Sequence, residues 1–194
     1  VALIVTGLWL VAGEALAISG NGGNNIGALQ SQSGANTWAG SVLLGTDGTR
    51  IGANGAGQTL TVSGVIDDGA NTYTLAVRIA DGGGTTILSG VNTYGGNTDV
   101  VVGLLQLADG DNRLPTGTTL RIGNTSNVAS AAFDLNGYDQ EVAGLLSFGT
   151  TMGRTLTNSS GTAATLTVNQ AANTTFAGQI TGNLALTKSG AGTL

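Results

Sequence analysis

Leu88-Ser89-Gly90-Val91-Asn92-Thr93-Tyr94-Gly95-Gly96-Asn97-Thr98-Asp99-Val100, running on into Gly103-Leu104-Leu105-Gln106-Leu107, reads as strand, turn and strand, one unit of a repeat. Its lead-in returns near the end of the chain. Gly82-Gly83-Gly84-Thr85 matches Gly190-Ala191-Gly192-Thr193, and Ser63-Gly64-Val65-Ile66 has a looser counterpart in Ala177-Gly178-Gln179-Ile180. Self-similarity of this kind means that each unit buries its apolar face on the next, so the fold grows by stacking.

Composition agrees with one long core. Glycine fills 34 of 194 positions without a Gly-X-Y period and with a single proline, Pro115, which argues against both collagen and Pro-rich disorder. The hydrophobic share is 41% and mean hydropathy is +0.23, enough apolar surface for a packed body. Charged residues make up 9%, far below the ~25% of an average soluble domain. The surface must therefore be wetted by Thr, Ser, Asn and Gln. A net charge of −5 with six cations leaves no basic stripe for phosphates, so nucleic acid is not an expected partner. Cysteine is absent, which removes disulfides and thiolate metal sites. Residues 1–194 are read as a single β-helical segment. Val1 to Ala17 is apolar and ends in Ala15-Leu16-Ala17, but it has no basic lead, is interrupted by Gly7, Gly13 and Glu14, and is too short for a membrane span. Val1–Leu10 and Ala15–Ile18 are expected to be strands, and a chain bounded by strand patterns at Val1 and Leu194 is expected to be a piece of a longer one.

Short apolar stretches closed by Gly, Asn or Asp recur throughout: Ser41–Leu44, Thr59–Val62, Tyr73–Ile79, Thr85–Leu88, Asp99–Leu107, Thr118–Ile122, Ala131–Leu135, Gln140–Leu146, Ala164–Val168, Thr174–Phe176 and Leu184–Thr187. That is a β pattern from end to end. Two architectures fit it, an antiparallel sandwich and a parallel β-solenoid. Alternation favours the solenoid, with Val100 and Val102, Leu105 and Leu107, Leu120 and Ile122, Leu166 and Val168, and Leu184 and Leu186 all predicted to point inward. So do the scarcity of two-residue hairpin turns and an aromatic content of only 4%. At ~22 residues per coil and ~4.8 Å per coil, about nine coils and a rod of roughly 40 Å are expected.

The ordered series of motifs resembles the autotransporter-associated β-strand repeat, the passenger region of large Gram-negative surface and secreted proteins. Ser33-Gly34-Ala35-Asn36-Thr37-Trp38-Ala39-Gly40-Ser41-Val42 is similar to the family's entry strand, and Leu60-Thr61-Val62-Ser63-Gly64-Val65-Ile66 to the coil that follows. Leu88 to Val100, Leu105-Gln106-Leu107, Gly110 to Thr118, Asp134-Leu135-Asn136-Gly137, Gln140 to Leu145, Thr157 to Ser160, Ala164 to Val168 and Leu186 to Leu194 continue the likeness in order, from Ser19 onward. Arg78-Ile79-Ala80-Asp81 and Tyr94-Gly95-Gly96-Asn97 depart from it. The resemblance implies a right-handed parallel β-helix exported across two membranes through a C-terminal β-barrel in the parent. It implies no shared catalytic residues.

Catalytic chemistry finds little material. Without His or Cys, triad-type nucleophile arrangements and their usual base are excluded, leaving carboxylate, Lys or Tyr chemistry. The candidate carboxylates are Asp67-Asp68, Asp109 with Asp111, and Asp134 with Asp139 and Glu141; each is read as a turn or a solvated face. Asp109-Gly110-Asp111-Asn112 alternates oxygen ligands around a glycine but has no downstream Glu to complete a calcium loop, and Gly82-Gly83-Gly84 lacks the Lys-Ser/Thr ending of a phosphate cradle. No catalytic residue, cofactor or metal is therefore assigned. Asn36, Asn92, Asn136 and Asn158 are expected to satisfy backbone groups at coil corners. Trp9, Trp38, Tyr73, Tyr94, Tyr138, Phe133, Phe148 and Phe176 are expected to plug coil ends or sit at corners, where exposed rings would suit glycans.

The function expected is that of a rigid structural and interaction segment at the outer surface of a Gram-negative bacterium. Its partners would be host or neighbouring-cell surfaces, glycans or matrix, or further copies of itself, and the segment would not insert into a membrane. The rivals are a filament subunit stacking end to end and a polysaccharide-acting β-helix enzyme.

Overall fold

The computed structural model describes residues 3–7, 10–23, 27–78, 83–125, 129–149 and 153–194. The backbone winds in one direction, and its strands fall into coils. The first coil holds β1 (Leu3–Thr6), β2 (Leu10–Val11) and β3 (Leu16–Ile18); the second β4 (Leu29–Ser33), β5 (Ala35–Trp38) and β6 (Val42–Leu44); the third β7 (Thr49–Ala53), β8 (Thr59–Val62) and β9 (Ile66–Asp67). The fourth and fifth carry two strands each: β10 (Leu75–Val77) and β11 (Thr85–Leu88), then β12 (Thr98–Val100) and β13 (Gly103–Leu107). Then come β14 (Thr119–Ile122), β15 (Ala131–Asp134) and β16 (Gln140–Val142); β17 (Gly144–Ser147), β18 (Arg154–Asn158) and β19 (Ala164–Asn169); and finally β20 (Gln179–Gly182) and β21 (Leu184–Ser189).

These strands form a parallel β-solenoid. Face A is a seven-stranded sheet in the order β1-β4-β7-β10-β12-β14-β17, and face B an eight-stranded sheet in the order β2-β5-β8-β11-β13-β15-β18-β20. The third face is divided into β3-β6-β9 and β16-β19-β21. Every strand pair is parallel, as between β8 and β11 or β13 and β15, so the sandwich alternative fails. Seven coils and part of an eighth replace the nine expected. Register partners lie 19 residues apart at Thr85 and Leu104 but 28 apart at Leu105 and Phe133, because corner loops lengthen several coils beyond the assumed period. Face B accordingly spans about 34 Å at ~4.8 Å per strand.

Alternation decides which side chains are buried. On face B the inward row Leu60, Thr86, Leu105, Phe133 and Leu156 follows the register strand by strand and is buried throughout. On face A, Leu29, Ile51, Val77, Val100 and Ile122 do the same. Like side chains stacked one strand apart fill the interior without bulky residues. The inward pairs read from the sequence hold from Val100 to Val168, whereas Leu184 is half-buried and Leu186 exposed on the last described coil. There Lys188, in register with Val168, turns its ammonium to the Ser189 and Gly190 carbonyls.

Three stretches expected as single strands are each divided: Val1–Leu10 between β1 on face A and β2, which begins at Leu10 on face B, Asp99–Leu107 at Val101-Val102, and Gln140–Leu146 at Ala143. Thr174–Phe176 forms no strand, although Ser147 N–H still donates to the Thr175 carbonyl. The aromatics are mostly interior and not glycan-ready: Trp38, Tyr94 and Phe133 are buried, and Tyr73, Tyr138 and Phe176 pack on the core. Trp9 and Ile79 to Asp81 lie outside the described residues.

The recurring Ser-Gly corner has a steric cause. A β-carbon on Gly64 would lie 1.9 Å from the Gly40 carbonyl oxygen, and one on Gly90 would lie 2.3 Å from that of Gly64. Coils approach backbone to backbone along this edge, so no side chain fits. Gly64→Ala is expected to lower the unfolding free energy by about 1–3 kcal/mol, as overpacking does. Exposed Gly117 has nothing within 4 Å, and Gly117→Ala is expected to be neutral or to stabilise by up to about 1 kcal/mol through the unfolded chain. Paired denaturant titrations check both; equal effects would contradict this packing.

Candidate functional site

The polar side chains singled out from the sequence are mostly engaged between coils. Between β9 and β16 the third face has no strand for two coils, yet the coils remain bonded. Asn92 supplies the link: its Oδ1 accepts the Ile66 N–H at 2.8 Å, and its Nδ2 donates to the Arg113 carbonyl at 2.7 Å. Gln140 completes it, accepting the Leu114 N–H at 2.9 Å and donating to the Leu114 carbonyl at 3.1 Å. Two buried amides thus stand in for missing ladder bonds, as buried backbone groups require. Asn158 spans three coils, accepting from Gly137 N–H and donating to the Asn183 carbonyl. Asn136 donates to the Leu107 carbonyl with φ at +49°, followed by Gly137 at +88°. Asn36 ties Ser31 and Ser33 at the corner between β4 and β5. The corner role read for all four asparagines is what the geometry displays.

The carboxylates are engaged in the same way. Asp67 accepts Gly69 N–H and the Thr93 hydroxyl, and buried Asp68 accepts Tyr73 and Gly95 N–H. Asp111 caps Asp139 N–H one coil on, and Asp139 caps Thr165 N–H in turn. Glu141 accepts from Asn169. Asp109 adopts a φ of +62°, and its carbonyl accepts from Arg113. The structure divides one of the candidate groups and leaves Asp67-Asp68, and Asp109 with Asp111, each within a single turn or loop. Asp109 and Asp111 belong to one loop, while Asp134 accepts from Ser159, Asn136 and Gln106, away from the Asp139 and Glu141 contacts. Among the described residues no cluster of three or more Asp and Glu is arranged to hold a metal ion.

Asp134 carries the densest set of bonds. Burial pushes its carboxyl up, but hydrogen bonds from Ser159, Gln106 and Asn136 outweigh that and hold it below the ordinary carboxylate value.

Face A bears the charge that sequence inspection missed. Asp99 and Arg121, in register on β12 and β14, form an ion pair, with Arg121 Nη2 donating to Asp99 Oδ2 at 2.7 Å. The guanidinium also lies 5.9 Å from the Phe148 ring centre. Burial pushes the Asp99 carboxyl up, Arg121 opposes it, and the charge of Asp47 adds to the rise. Arg154, 1% exposed, donates to the Phe148 and Ala129 carbonyls and anchors the entry to β18. An apolar cavity of about 450 Å³ opens between Gly83, Val102, Leu104, Ala129 and Ala132.

No protein-family model matches this chain, and neither does any curated protein or solved structure.

Asn92→Ala is expected to cost about 1–3 kcal/mol by leaving the Ile66 and Arg113 backbone groups unpaired. Because the folded carboxyl of Asp134 is depressed, its contribution is present above the unfolded value of ~3.9 and lost as pH falls through the lower folded value. Asp134→Ala should therefore flatten the acid limb of a stability–pH profile, measured by denaturation at several pH values. An unchanged limb would contradict the assignment.

Proposed function

We propose that this chain is a structural and interaction module: a stiff passenger-type segment of an autotransporter-like adhesin, secreted or displayed outside a Gram-negative cell. There it adheres to cell surfaces, glycans or matrix, or associates with its own copies. The observation that carries this reading is the outward row of face B. Thr37, Thr61, Ile87, Gln106, Asp134, Thr157 and Thr181 follow one another in register, mostly short polar side chains one strand apart, and all but the buried Asp134 reach the surface at least in part. Such a row on a rod offers many equivalent weak contacts, and their summed avidity exceeds any single one.

A second reading, a polysaccharide-acting β-helix enzyme, would need carboxylates free to act, and the candidates on and beside face A are Asp99 and Asp47, the latter in the turn before β7. Asp47, however, accepts the Thr74 N–H and Asp99 is bound to Arg121, so both are already engaged.

Immobilised glycans, matrix proteins and whole cells, probed with the full chain by biolayer interferometry, test the first reading. Saturable binding is expected, weakened about tenfold, or 1.4 kcal/mol, by Thr61→Glu with Thr157→Glu. Absence of binding together with monomeric sedimentation would contradict it. New reducing ends released from a polysaccharide, and lost in Asp99→Asn, would establish the second reading instead.

A further inference from the structure

Face A holds a second charged group that no coil-to-coil bond uses. Arg50 lies on β7 in register with Ala76, and Arg78 follows β10 by one residue, its N–H donating to the Ile51 carbonyl. Continuing that register sets Arg78 beside Gly52, and Gly52 is the partner of Gln30 on β4. Arg50, two residues before Gly52, points to the same side as Arg78. Two cationic side chains thus sit diagonally on adjacent strands, within reach of each other. Gly52, between Gln30 and Arg78 in that row, is itself buried. Among the described residues neither guanidinium has an ion pair or a hydrogen bond, and Arg78 Nε and Gln30 Oε1 are both buried without a partner. Burial, and then the charge of Arg78, push the Arg50 guanidinium down from its ordinary value.

Adjacent like charges are destabilising, and a buried donor without a partner costs further. In a chain with only six cations, an anion held between the two would relieve both costs. Arginine selects a planar oxyanion, because its fork matches a carboxylate with two parallel bonds. Ala28 and Ala76 flank Arg50 in the ladder and are buried, and the neighbouring Asp99–Arg121 pair is neutral. We propose that Arg50 and Arg78 form a binding site for the carboxylate of a uronic-acid polysaccharide. The choice of polysaccharide rests on the exterior-interaction reading given above; the carboxylate chemistry does not.

Isothermal titration of the full chain with oligogalacturonate, its methyl ester, free galacturonate and sodium sulfate tests the site. Saturable binding of oligogalacturonate, lost on esterification, is expected, with affinity falling about tenfold or more in Arg50→Gln or Arg78→Gln and unchanged in Arg113→Gln. Far-UV circular dichroism confirms that each variant folds. Equal binding of free galacturonate would support the carboxylate site while removing the polymer from the proposal, and tighter binding of sulfate would overturn the carboxylate assignment. Folded variants that bind as the wild type does, or a wild type that binds none of the four, would overturn the site. Cell adhesion that persists in Arg50→Gln with Arg78→Gln would leave the broader function standing without it.

Discussion

The hydrogen bond from each coil to the next is the constraint on which the rest of this structure depends. In a parallel ladder one strand's N–H and C=O groups are satisfied only by the strands above and below. Register therefore fixes inside and outside along the whole rod at once, since a slip of one residue would turn every core side chain outward. Leu60, Leu105, Phe133 and Leu156 share a row because the ladder places them there. The apolar interior and the ladder enforce each other, and neither could be altered in one coil alone.

Where the ladder is interrupted, side chains take over its work. Asn92 and Gln140 carry the third face across two coils without strands, and Asp111 and Asp139 repeat a capping bond from one coil to the next. This explains a surface that is poor in charge yet keeps its acidic residues at corners. A carboxylate there accepts backbone N–H groups that would otherwise be unpaired, and that use competes with catalysis. The groups left outside this economy of bonds, Arg50 and Arg78, stand out because nearly everything polar around them is committed.

The fold was legible from strand length, alternation and the recurring Ser-Gly corner, all local properties. Thr59–Val62 and Thr85–Leu88 have the bounds that the sequence indicates, because each is a run of alternating residues between turn signals. The strands Thr49–Ala53, Arg154–Asn158 and Gln179–Gly182 escaped notice: a buried arginine or interior glycine breaks the apolar pattern in the first two, and exposed polar residues blur it in the third. Coil number was overestimated because loop length at corners leaves no periodic trace. The corner asparagines were readable since their chemistry is local. The charged group on face A was not, because Asp99 and Arg121 are 22 residues apart and only register makes them neighbours. One signal was present in outline: Asp99 lies between Thr98 and Val100, and Arg121 between Leu120 and Ile122, so each occupies the outward phase of its strand.

Distances along the outward row of face B test the winding most directly. The chain has no cysteine, so spin labels can be attached at introduced cysteines replacing Thr37 paired with Gln106, Thr157 or Thr181, and measured by double electron–electron resonance. Stacked parallel coils predict separations that grow by about 4.8 Å per coil, reaching about 29 Å between Thr37 and Thr181. Separations that fail to increase in that order would mean that the chain does not wind coil upon coil.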